Sequence, residues 1–327
     1  MKRGLVIGKF YPPHKGHAFL ITTALAQVDT LTVVICDNPA QKIPAETRAV
    51  WLREMVPGVK VRIVPDIPPP DDSKAWAKYT EAFLGYRPDV VFTSEAYGDA
   101  YAQFLGARHV AVDPARRQVP ISATDIRRDP FGHWNFLSPC VQAYFARRVC
   151  ILGAESTGTT TMARALAVHY ATSWVPEFGR LYSEAKFHTQ PQPAWVSTEF
   201  AFIAREQNRL EDWLARCCSG LLVCDTNALA TELWEERYLG STSAAVAALA
   251  TGRRYDHYFL TDVDIPFVQD GLRDGEHIRH DMHKRFVTVL QQRNVPHTLL
   301  SGPHEQRLAQ AIAVCDTVLR APNTLSP

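Results

Sequence analysis

The sequence predicts an α/β protein built from two doubly wound parallel-sheet domains, and two observations lead to this fold class. Short apolar runs alternate with longer amphipathic stretches along the chain, which is the pattern of buried strands and covering helices in βαβ units. The chain has 327 residues, more than the ~100–200 residues of one ordinary domain. Ligands of such sheets bind beyond the carboxyl ends of the strands, so we expect the functional residues in the loops that follow strands.

Each predicted domain has its own series of strands. The first series comprises Gly4–Ile7, Leu31–Cys36, Val59–Val64, Val90–Thr93 and His109–Val112. The second series comprises Val149–Leu152, Gly220–Cys224, His257–Leu260 and Val295–Leu300. The segment Tyr144–Arg148 leads from a helix directly into a strand, so we predict domains at 1–147 and 148–327. Pro65–Ser73, rich in Pro and Asp, is expected to be a surface loop, and the residues after Arg320 are expected to be disordered.

Charge and cysteine content exclude several classes of protein. Lys and Arg number 35 against 34 Asp and Glu, a net charge of +1, which leaves no basic field to attract nucleic acid or an anionic membrane. No apolar run approaches the ~20 residues that cross a bilayer, so we expect no membrane insertion. The 7 cysteines form no CxxC pair and no zinc-type spacing. We therefore expect reduced thiols and a cytoplasmic protein.

The first strand runs into a loop whose residue types suit phosphate binding. The loop reads GKFYPPHKGH at residues 8–17 and precedes an apolar-periodic helix. Gly8 permits a tight turn, while His14 and His17 flank a helix start, whose free N–H groups attract anions. Histidines near that positive end are expected to be neutral, each with an N–H group for a phosphate oxygen. Two imidazoles and a helix terminus in one place predict a phosphate site.

A second motif, ISATDIR at residues 121–127, follows the fifth strand. One interpretation is an ordinary capped helix, with Ser122 as the N-cap and Asp125 in a capping-box-like position. The other is a polyphosphate clamp made of hydroxyls, helix N–H groups and the guanidinium of Arg127. The capped helix would explain half of the pattern, and the arginine favours the second interpretation.

These two loops resemble the HxGH and ISxTxxR signatures of the nucleotidylyltransferase superfamily, in the same order within one domain. Further stretches, ETRAVW at 46–51 and TSEAYG at 93–98, are similar to the NadR-type bifunctional nicotinamide mononucleotide adenylyltransferases and ribosylnicotinamide kinases. The resemblance implies that the first domain transfers AMP from ATP to nicotinamide mononucleotide, giving NAD and pyrophosphate, with Mg²⁺ shielding the triphosphate. Another phosphorylated acceptor, such as pantetheine phosphate, is the alternative within the superfamily.

The resemblance also implies roles for single residues. His14 and His17 would stabilise the phosphates at the transition state together with Arg127. Arg48 would contact the acceptor phosphate and Trp51 would stack on nicotinamide, with core packing an equal alternative for Trp51. The remaining residues assigned to ATP and its phosphates are Gly8, Lys9, Phe10, Ser122 and Thr124.

The second domain opens with a loop that resembles the P-loop, G-x-x-x-x-G-K-[ST]. The sequence GAESTGTTT occupies residues 153–161. In a P-loop the backbone N–H groups cradle phosphates, a Lys neutralises them and a hydroxyl meets Mg²⁺. The phosphate-binding residues would be Gly153, Ser156, Gly158, Thr159 and Thr160, with Thr160 on Mg²⁺. Because Thr159 stands where the Lys belongs, the main point charge of the loop is missing.

Further residues of the second half are similar to the kinase of the same family. The resemblance implies that Glu177 or Asp225 serves the ribose hydroxyl and the metal, with Asp225 expected beside Thr160 at Mg²⁺. A lid-like stretch at 270–279 would bring Arg273 and Arg279 over the γ-phosphate. Arg180 would contact the substrate, and Phe267 would stack on nicotinamide or pack beneath the lid.

The missing lysine leaves the function of the second half open. It is either a slow kinase of nicotinamide riboside, whose missing charge comes from Arg180, Lys186 or a lid arginine, or a nucleotide-binding module without catalysis. A function of a different class is a regulator that senses NAD or ATP. DNA binding is not expected, because the first strand starts near Gly4 and leaves no room for a preceding helix-turn-helix. The sequence does not specify whether the protein forms a homo-oligomer.

Overall fold

The computed structural model describes residues 1–68, 72–189, 194–273 and 275–322. The chain falls into two compact units, Met1–Val141 and Gln142–Pro322. This division lies within a helix, Pro139–Phe145, slightly before the boundary that the sequence predicts near residue 147, which stays a prediction. Each unit contains one five-stranded sheet, and the predicted fold class is confirmed.

The first unit alternates strands and helices as the sequence predicts. Its strands are β1 (Arg3–Gly8), β2 (Thr30–Asp37), β3 (Lys60–Pro65), β4 (Val90–Thr93) and β5 (Arg108–Ala111). Its helices are α1 (Lys15–Leu25), α2 (Ala45–Met55), α3 (Ser73–Leu84), α4 (Gly98–Leu105) and α5 (Ala123–Arg128), followed by a 3₁₀ turn at Trp134–Phe136 and by α6 (Pro139–Phe145). The order across the sheet is β3-β2-β1-β4-β5, and all neighbours are parallel.

The continuous apolar runs of these strands are explained by burial of both faces of the sheet. Val33 belongs to the core cluster on one face, and Val34, the next residue, belongs to the cluster on the other. Successive side chains of a strand point to opposite faces, so a strand covered by helices on both sides needs apolar residues throughout. This is why length and composition, rather than alternation, identify the strands here.

The second unit has the same layered plan. Its strands are β6 (Arg147–Gly153), β7 (Trp174–Val175), β8 (Leu221–Asp225), β9 (His257–Thr261) and β10 (His297–Leu300). Its helices are α7 (Thr159–His169), α8 (Phe178–Thr189), α9 (Ser197–Leu214), α10 (Ala228–Leu239), α11 (Ala244–Thr251), α12 (Arg279–Gln292) and α13 (His304–Arg320), with a 3₁₀ turn at Glu276–Ile278. The order is β10-β9-β6-β8-β7, all parallel. The edge strand β7 was not predicted, because two residues make no recognisable pattern.

Both sheets place a crevice beside the first strand of their unit. In the first unit β1 lies between β2 and β4, and in the second β6 lies between β8 and β9. Chains leaving neighbouring strands in opposite directions open a crevice at the carboxyl edge, where ligands of such sheets bind. The two motif loops follow β1 and β6 and therefore border these crevices.

Two expectations fall partly on residues that the structure does not describe. The predicted loop at Pro65–Ser73 begins where β3 ends and finishes where α3 starts, but residues 69–71 lie outside the described part. The tail residues 323–327 also lie outside it. Within the described ranges, no helix combines the length and apolarity that a membrane crossing requires.

Candidate nucleotide-binding sites

The first unit has an open cleft of about 640 Å³ at the carboxyl edge of its sheet, within the ~300–1,000 Å³ usual for small-molecule sites. Loops that follow β1, β4 and β5 line it, together with the start of α5. The sequence motifs GKFYPPHKGH and ISATDIR therefore meet in one cleft, although about 110 residues separate them along the chain.

The two histidines of the first loop lie against each other in this cleft. Their ring centroids are 3.8 Å apart. His14 is the N-cap of α1, and its Nδ1 accepts a hydrogen bond from the backbone N–H of Gly16 at 3.1 Å. A Cβ at Gly16 would approach the His14 ring to 2.9 Å, so glycine permits this arrangement. The Nδ1 of His17 is buried without a partner among the described residues.

Both imidazoles are neutral at physiological pH. Burial, the neighbouring His17 and the charge of Arg116 hold the pKa of His14 far below its usual range. Burial and Arg116 lower the pKa of His17 to about 3. Because Nδ1 of His14 is an acceptor, its proton lies on Nε2. The prediction of neutral imidazoles that donate N–H groups is consistent with this geometry.

The second motif forms both a helix cap and a cationic wall of the cleft. The Ser122 hydroxyl caps α5 by accepting from the N–H of Asp125 at 3.1 Å. Arg127 donates to the Tyr11 carbonyl at 2.6 Å and to the Thr124 hydroxyl at 3.0 Å. The arginine thus joins the two motifs; the helix cap is present in the structure, and phosphate binding by the motif stays a prediction.

The other residues predicted to bind ATP in this unit also line the cleft. Gly8, Lys9 and Phe10 lie on the loop after β1. The Lys9 ammonium is 3.2 Å from a carboxylate oxygen of Asp66. Phe10 packs edge-on against His17, with ring centroids 4.9 Å apart, and has a left-handed backbone with a φ of 48°.

Arg48 and Trp51 lie on α2, behind the cleft rather than in its lining. The Arg48 side chain is fully buried. It donates to the carbonyls of Lys9 and Pro44 and to the carboxylate of Asp37. Arg48 therefore holds the backbone of the motif loop, and Trp51 is buried in the same helix at 6% exposure. Direct contact of either residue with substrate stays a prediction.

The second unit has a cleft of about 250 Å³ bordered by the P-loop-like turn. Gly158 has a φ of 87°, a left-handed conformation that glycine adopts without strain. A Cβ at Gly153 would collide with the hydroxyls of Thr157 and Thr261. Both glycines of the motif are thus required by the turn. Ser156, Thr159 and Thr160 line the cleft with them.

A pair of oxygen ligands suited to Mg²⁺ lies beneath this loop. The Thr160 hydroxyl donates to Oδ2 of Asp225 at 2.5 Å. The other oxygen, Oδ1, is buried and has no partner among the described residues, and burial raises the pKa of this carboxyl. Mg²⁺ is commonly held by one or two protein oxygens plus substrate phosphates. The residues therefore fit the ion, and the described residues of the whole chain contain no larger His/Cys/Asp/Glu cluster for a metal.

Glu177 and two arginines complete the polar part of the cleft. Burial and the nearby Asp225 raise the pKa of Glu177 to about 7. Arg180 is 2.9 Å from a carboxylate oxygen of Asp270, and Arg273 is 3.3 Å from the same carboxylate. Both arginines line the cleft. Of the charges proposed to replace the absent lysine, these are the two that border it.

Lys186 and Arg279 are engaged elsewhere. Lys186 is 2.7 Å from a carboxylate oxygen of Glu199 and lies over the Trp195 ring. Arg279 is 2% exposed and donates to the carbonyls of Glu155 and Ser156, at 3.1 and 2.9 Å. Arg279 therefore supports the P-loop backbone, and its predicted contact with the γ-phosphate stays a prediction.

Two features of this unit were missed from the sequence. Arg307, on α13, is 3% exposed and donates to the Thr157 carbonyl at 2.9 Å, next to the carbonyls held by Arg279. The second feature is an aromatic wall of the cleft, formed by Phe187, Trp195, Phe200, Trp234 and Tyr238. These aromatic residues are scattered over three helices and a loop, and in the sequence each resembles an ordinary core residue. Phe267 is not part of this wall and lies 5.9 Å from the Arg279 guanidinium.

Fold and loops together define a nucleotidylyltransferase-type domain followed by a P-loop-type nucleotide-binding domain. Family models agree: residues 5–129 match the cytidylyltransferase-like family and residues 148–307 match an AAA domain family. The nicotinamide-nucleotide adenylyltransferase of Pyrococcus abyssi is 33% identical over 139 residues, which cover 39% of this chain and 72% of that protein. The corresponding protein of Thermococcus onnurineus is 30% identical, with 45% and 83% covered.

One relative is similar to this chain across both units. The trifunctional NAD biosynthesis/regulator protein NadR of Escherichia coli is 29% identical over 316 residues, covering 89% of this chain and 77% of that protein. A crystal structure of a NadR protein in complex with NR has the same fold, with a TM-score of 0.78, 20% identity and coverage of 98% and 96%. The chain belongs to the nicotinamide-nucleotide adenylyltransferase family, in the NadR-like form that adds a kinase-like second domain.

Proposed function

We propose that the first unit transfers AMP from ATP to nicotinamide mononucleotide, giving NAD and pyrophosphate. The observation that carries this proposal is the meeting of His14, His17 and Arg127 in one cleft at the carboxyl edge of the sheet. Family membership supports the choice of nicotinamide mononucleotide over another phosphorylated acceptor. NAD synthesis is therefore the activity that the site supports best.

The reaction needs electrostatic stabilisation rather than a covalent intermediate. A phosphate oxygen of the mononucleotide attacks the α-phosphorus of ATP, and the bond from that phosphorus to the α,β-bridging oxygen breaks. Pyrophosphate leaves with the electron pair, and no proton must be removed because the attacking phosphate is already ionised. Neutral His14 and His17 donate N–H bonds to the phosphate oxygens, and Arg127 binds the leaving group. Mg²⁺, when bound, neutralises part of the triphosphate charge.

We propose further that the second unit binds ATP and phosphorylates nicotinamide riboside slowly. The Thr160–Asp225 pair would hold Mg²⁺, and the aromatic wall fits the cationic nicotinamide ring. The riboside 5′-oxygen would attack the γ-phosphorus, ADP would leave with the bridging oxygen, and Glu177 would accept the hydroxyl proton. A carboxyl with a pKa of about 7 suits that task. Binding without turnover, as in a sensor of NAD or ATP, is the competing proposal.

One experiment tests both proposals. Purified protein receives Mg²⁺ and ATP with either nicotinamide mononucleotide or nicotinamide riboside, and the products are separated by chromatography. We expect NAD from the mononucleotide, and slow formation of NAD from the riboside.

Two variants assign the steps to the units. His17→Ala should abolish NAD formation from either substrate but leave phosphorylation of the riboside. Asp225→Asn should abolish phosphorylation of the riboside but leave NAD formation from the mononucleotide. No NAD from the mononucleotide would refute the first proposal, and no phosphorylated riboside would leave the second unit as a nucleotide-binding module.

A further inference from the structure

Few positive charges border the first cleft, although its proposed ligands carry several negative ones. Among the described residues that line it, the permanently cationic side chains are Lys9, Arg116 and Arg127. Lys9 and Arg127 belong to the motif loops. Arg116 belongs to neither motif, and its side chain is 43% exposed in an ion pair with Glu95 at 2.9 Å.

The loop that carries Arg116 is built to hold one conformation. It connects β5 to α5 and folds around the Asp113 carboxylate, which accepts N–H bonds from Arg117, Gln118 and Val119 at 2.7, 3.0 and 3.2 Å. Asp113 and Arg116 have φ values of 47° and 49°, left-handed conformations that non-glycine residues adopt only when their surroundings impose them. Backbone strain of this kind is concentrated at functional sites.

Arg116 differs from an ordinary surface arginine because its charge acts on the residues of the cleft. Its positive charge acts on both imidazoles of the HxGH motif and contributes to lowering their pKa values. Arg116 also lines the same cleft as both histidines, so it lies beside the place where the phosphates would bind. Its partner Glu95 follows β4 on the opposite loop and is 55% exposed. Ion pairs as exposed as this one contribute little and are readily exchanged for a stronger ligand.

We propose that Arg116 is a phosphate-binding catalytic residue that exchanges Glu95 for the triphosphate of ATP. The proposal rests on the function proposed for the first unit. A guanidinium binds phosphate oxygens through two parallel N–H bonds, and the triphosphate carries more negative charge than the single Glu95 carboxylate, so we expect ATP to displace Glu95. Glu95 holds the arginine at the cleft in the absence of nucleotide.

The triphosphate of ATP is a better ligand for Arg116 than the acceptor phosphate, because Arg116 lies close in the chain to the motif placed on the triphosphate. The Arg116 loop leads directly into Ser122 and Arg127, the residues placed on the leaving pyrophosphate. All three line the same cleft as the two histidines. Arg116 would then stabilise the charge that grows on pyrophosphate as the bond breaks. Its loss should affect turnover as well as binding.

The test compares Arg116→Ala and Arg116→Lys with a matched control, Arg117→Ala, which removes the same charge from the adjacent exposed residue. Steady-state kinetics for ATP and nicotinamide mononucleotide and calorimetric binding of inorganic pyrophosphate are measured for each folded variant. We expect Arg116→Ala to lower kcat/KM for ATP about 10²-fold, to weaken pyrophosphate binding and to leave KM for the mononucleotide nearly unchanged. Arg116→Lys should recover part of the loss, and Arg117→Ala should match the unmodified protein.

Glu95→Gln tests the exchange independently, because it removes the carboxylate that competes with phosphate for Arg116. It should strengthen pyrophosphate binding in the presence of Arg116 and have no such effect in an Arg116→Ala background. Unchanged pyrophosphate binding in Arg116→Ala overturns the inference, as does an equal effect of Arg117→Ala. If the unmodified protein makes no NAD, the proposed function fails, while pyrophosphate and ATP binding still decide the role of Arg116.

Discussion

Replacing Thr159 by Lys restores the charge that the second unit lacks. Thr159 begins α7 and lines the cleft together with Glu177, and the adjacent Thr160 donates to the Asp225 carboxylate. A lysine ammonium there would reach the phosphates that the loop cradles. We therefore expect a higher rate of γ-phosphoryl transfer to nicotinamide riboside in this variant.

The magnitude follows from Coulomb attraction moderated by the neighbouring charges. A cation ~4 Å from a unit negative charge gains about 4 kcal/mol at an effective dielectric constant of ~20. If all of this attraction acted in the transition state and not in the bound ground state, it would correspond to roughly 10³-fold in rate. Arg180 and Arg273 already supply part of this charge, and the two carboxylates compete for the new ammonium. We expect a gain of about 10²-fold in kcat.

The assay measures phosphorylated riboside per unit time over a range of pH. Burial and Asp225 raise the pKa of Glu177 to about 7, so activity that uses its carboxylate falls as the pH drops below about 7. The new ammonium opposes that shift, so the acidic limb should move to lower pH. Val168→Lys, which adds the same charge to an exposed position of α7, should change neither rate nor profile. A Thr159→Lys variant that binds ATP without any gain in rate would show that the missing lysine does not limit this unit.

Three further predictions concern residues that belong to the motif loop after β1 or support the backbone of that loop or of the P-loop-like turn. Arg48→Met should lower the free energy of unfolding by about 1–3 kcal/mol in denaturant titration, because the carbonyls of Lys9 and Pro44 lose the buried guanidinium that donates to them; an unchanged midpoint would contradict this. The lowered pKa values of His14 and His17 predict that the rate of adenylyl transfer shows no histidine titration between pH 5 and 8. They also predict that the free energy of unfolding declines below pH ~6.5, because the imidazoles of the unfolded chain bind protons there. His17→Gln should weaken that decline. Arg307→Lys, which loses hydrogen bonds to the P-loop, should weaken ATP binding to the second unit about tenfold by calorimetry, with NAD formation from the mononucleotide unaffected.

Strand positions could be predicted because each strand buries both faces. Leu31–Cys36 and Val90–Thr93 are unbroken apolar runs, and both are strands in the structure. The two-residue strand β7 carries too little pattern to be identified. Its pairing with β8 depends on tertiary contacts that a local pattern does not contain.

The sequence indicated residue types for the sites better than it indicated side-chain directions. Arg48 and Arg279 were expected on phosphates, since arginine suits phosphate binding. In the structure both lie behind their loops and donate to backbone carbonyls, and their contact with phosphate stays a prediction. Whether a guanidinium faces the cleft or the loop depends on the packing of α2 and α12, which no local motif encodes.

The aromatic wall, Arg116 and Arg307 were missed for related reasons. Arg307 meets Thr157 across 150 residues of sequence, so no motif could join them. Arg116 follows an Asp-Pro pair that suggests only a turn. The wall residues come from three helices and a loop, and only the fold shows that they border one cleft.

The second unit keeps the backbone of a P-loop while lacking its charge. Three successive carbonyls, those of Glu155, Ser156 and Thr157, accept hydrogen bonds from the buried Arg279 and Arg307. In a planar trans peptide the N–H group points away from its carbonyl, so the N–H groups of these peptides face away from the arginines. The loop can therefore keep its phosphate-binding shape without a lysine. If the proposed function is correct, we expect nucleotide binding and phosphoryl transfer to be separable in this unit, because the first would depend on the supported backbone and the second on the charge absent at Thr159.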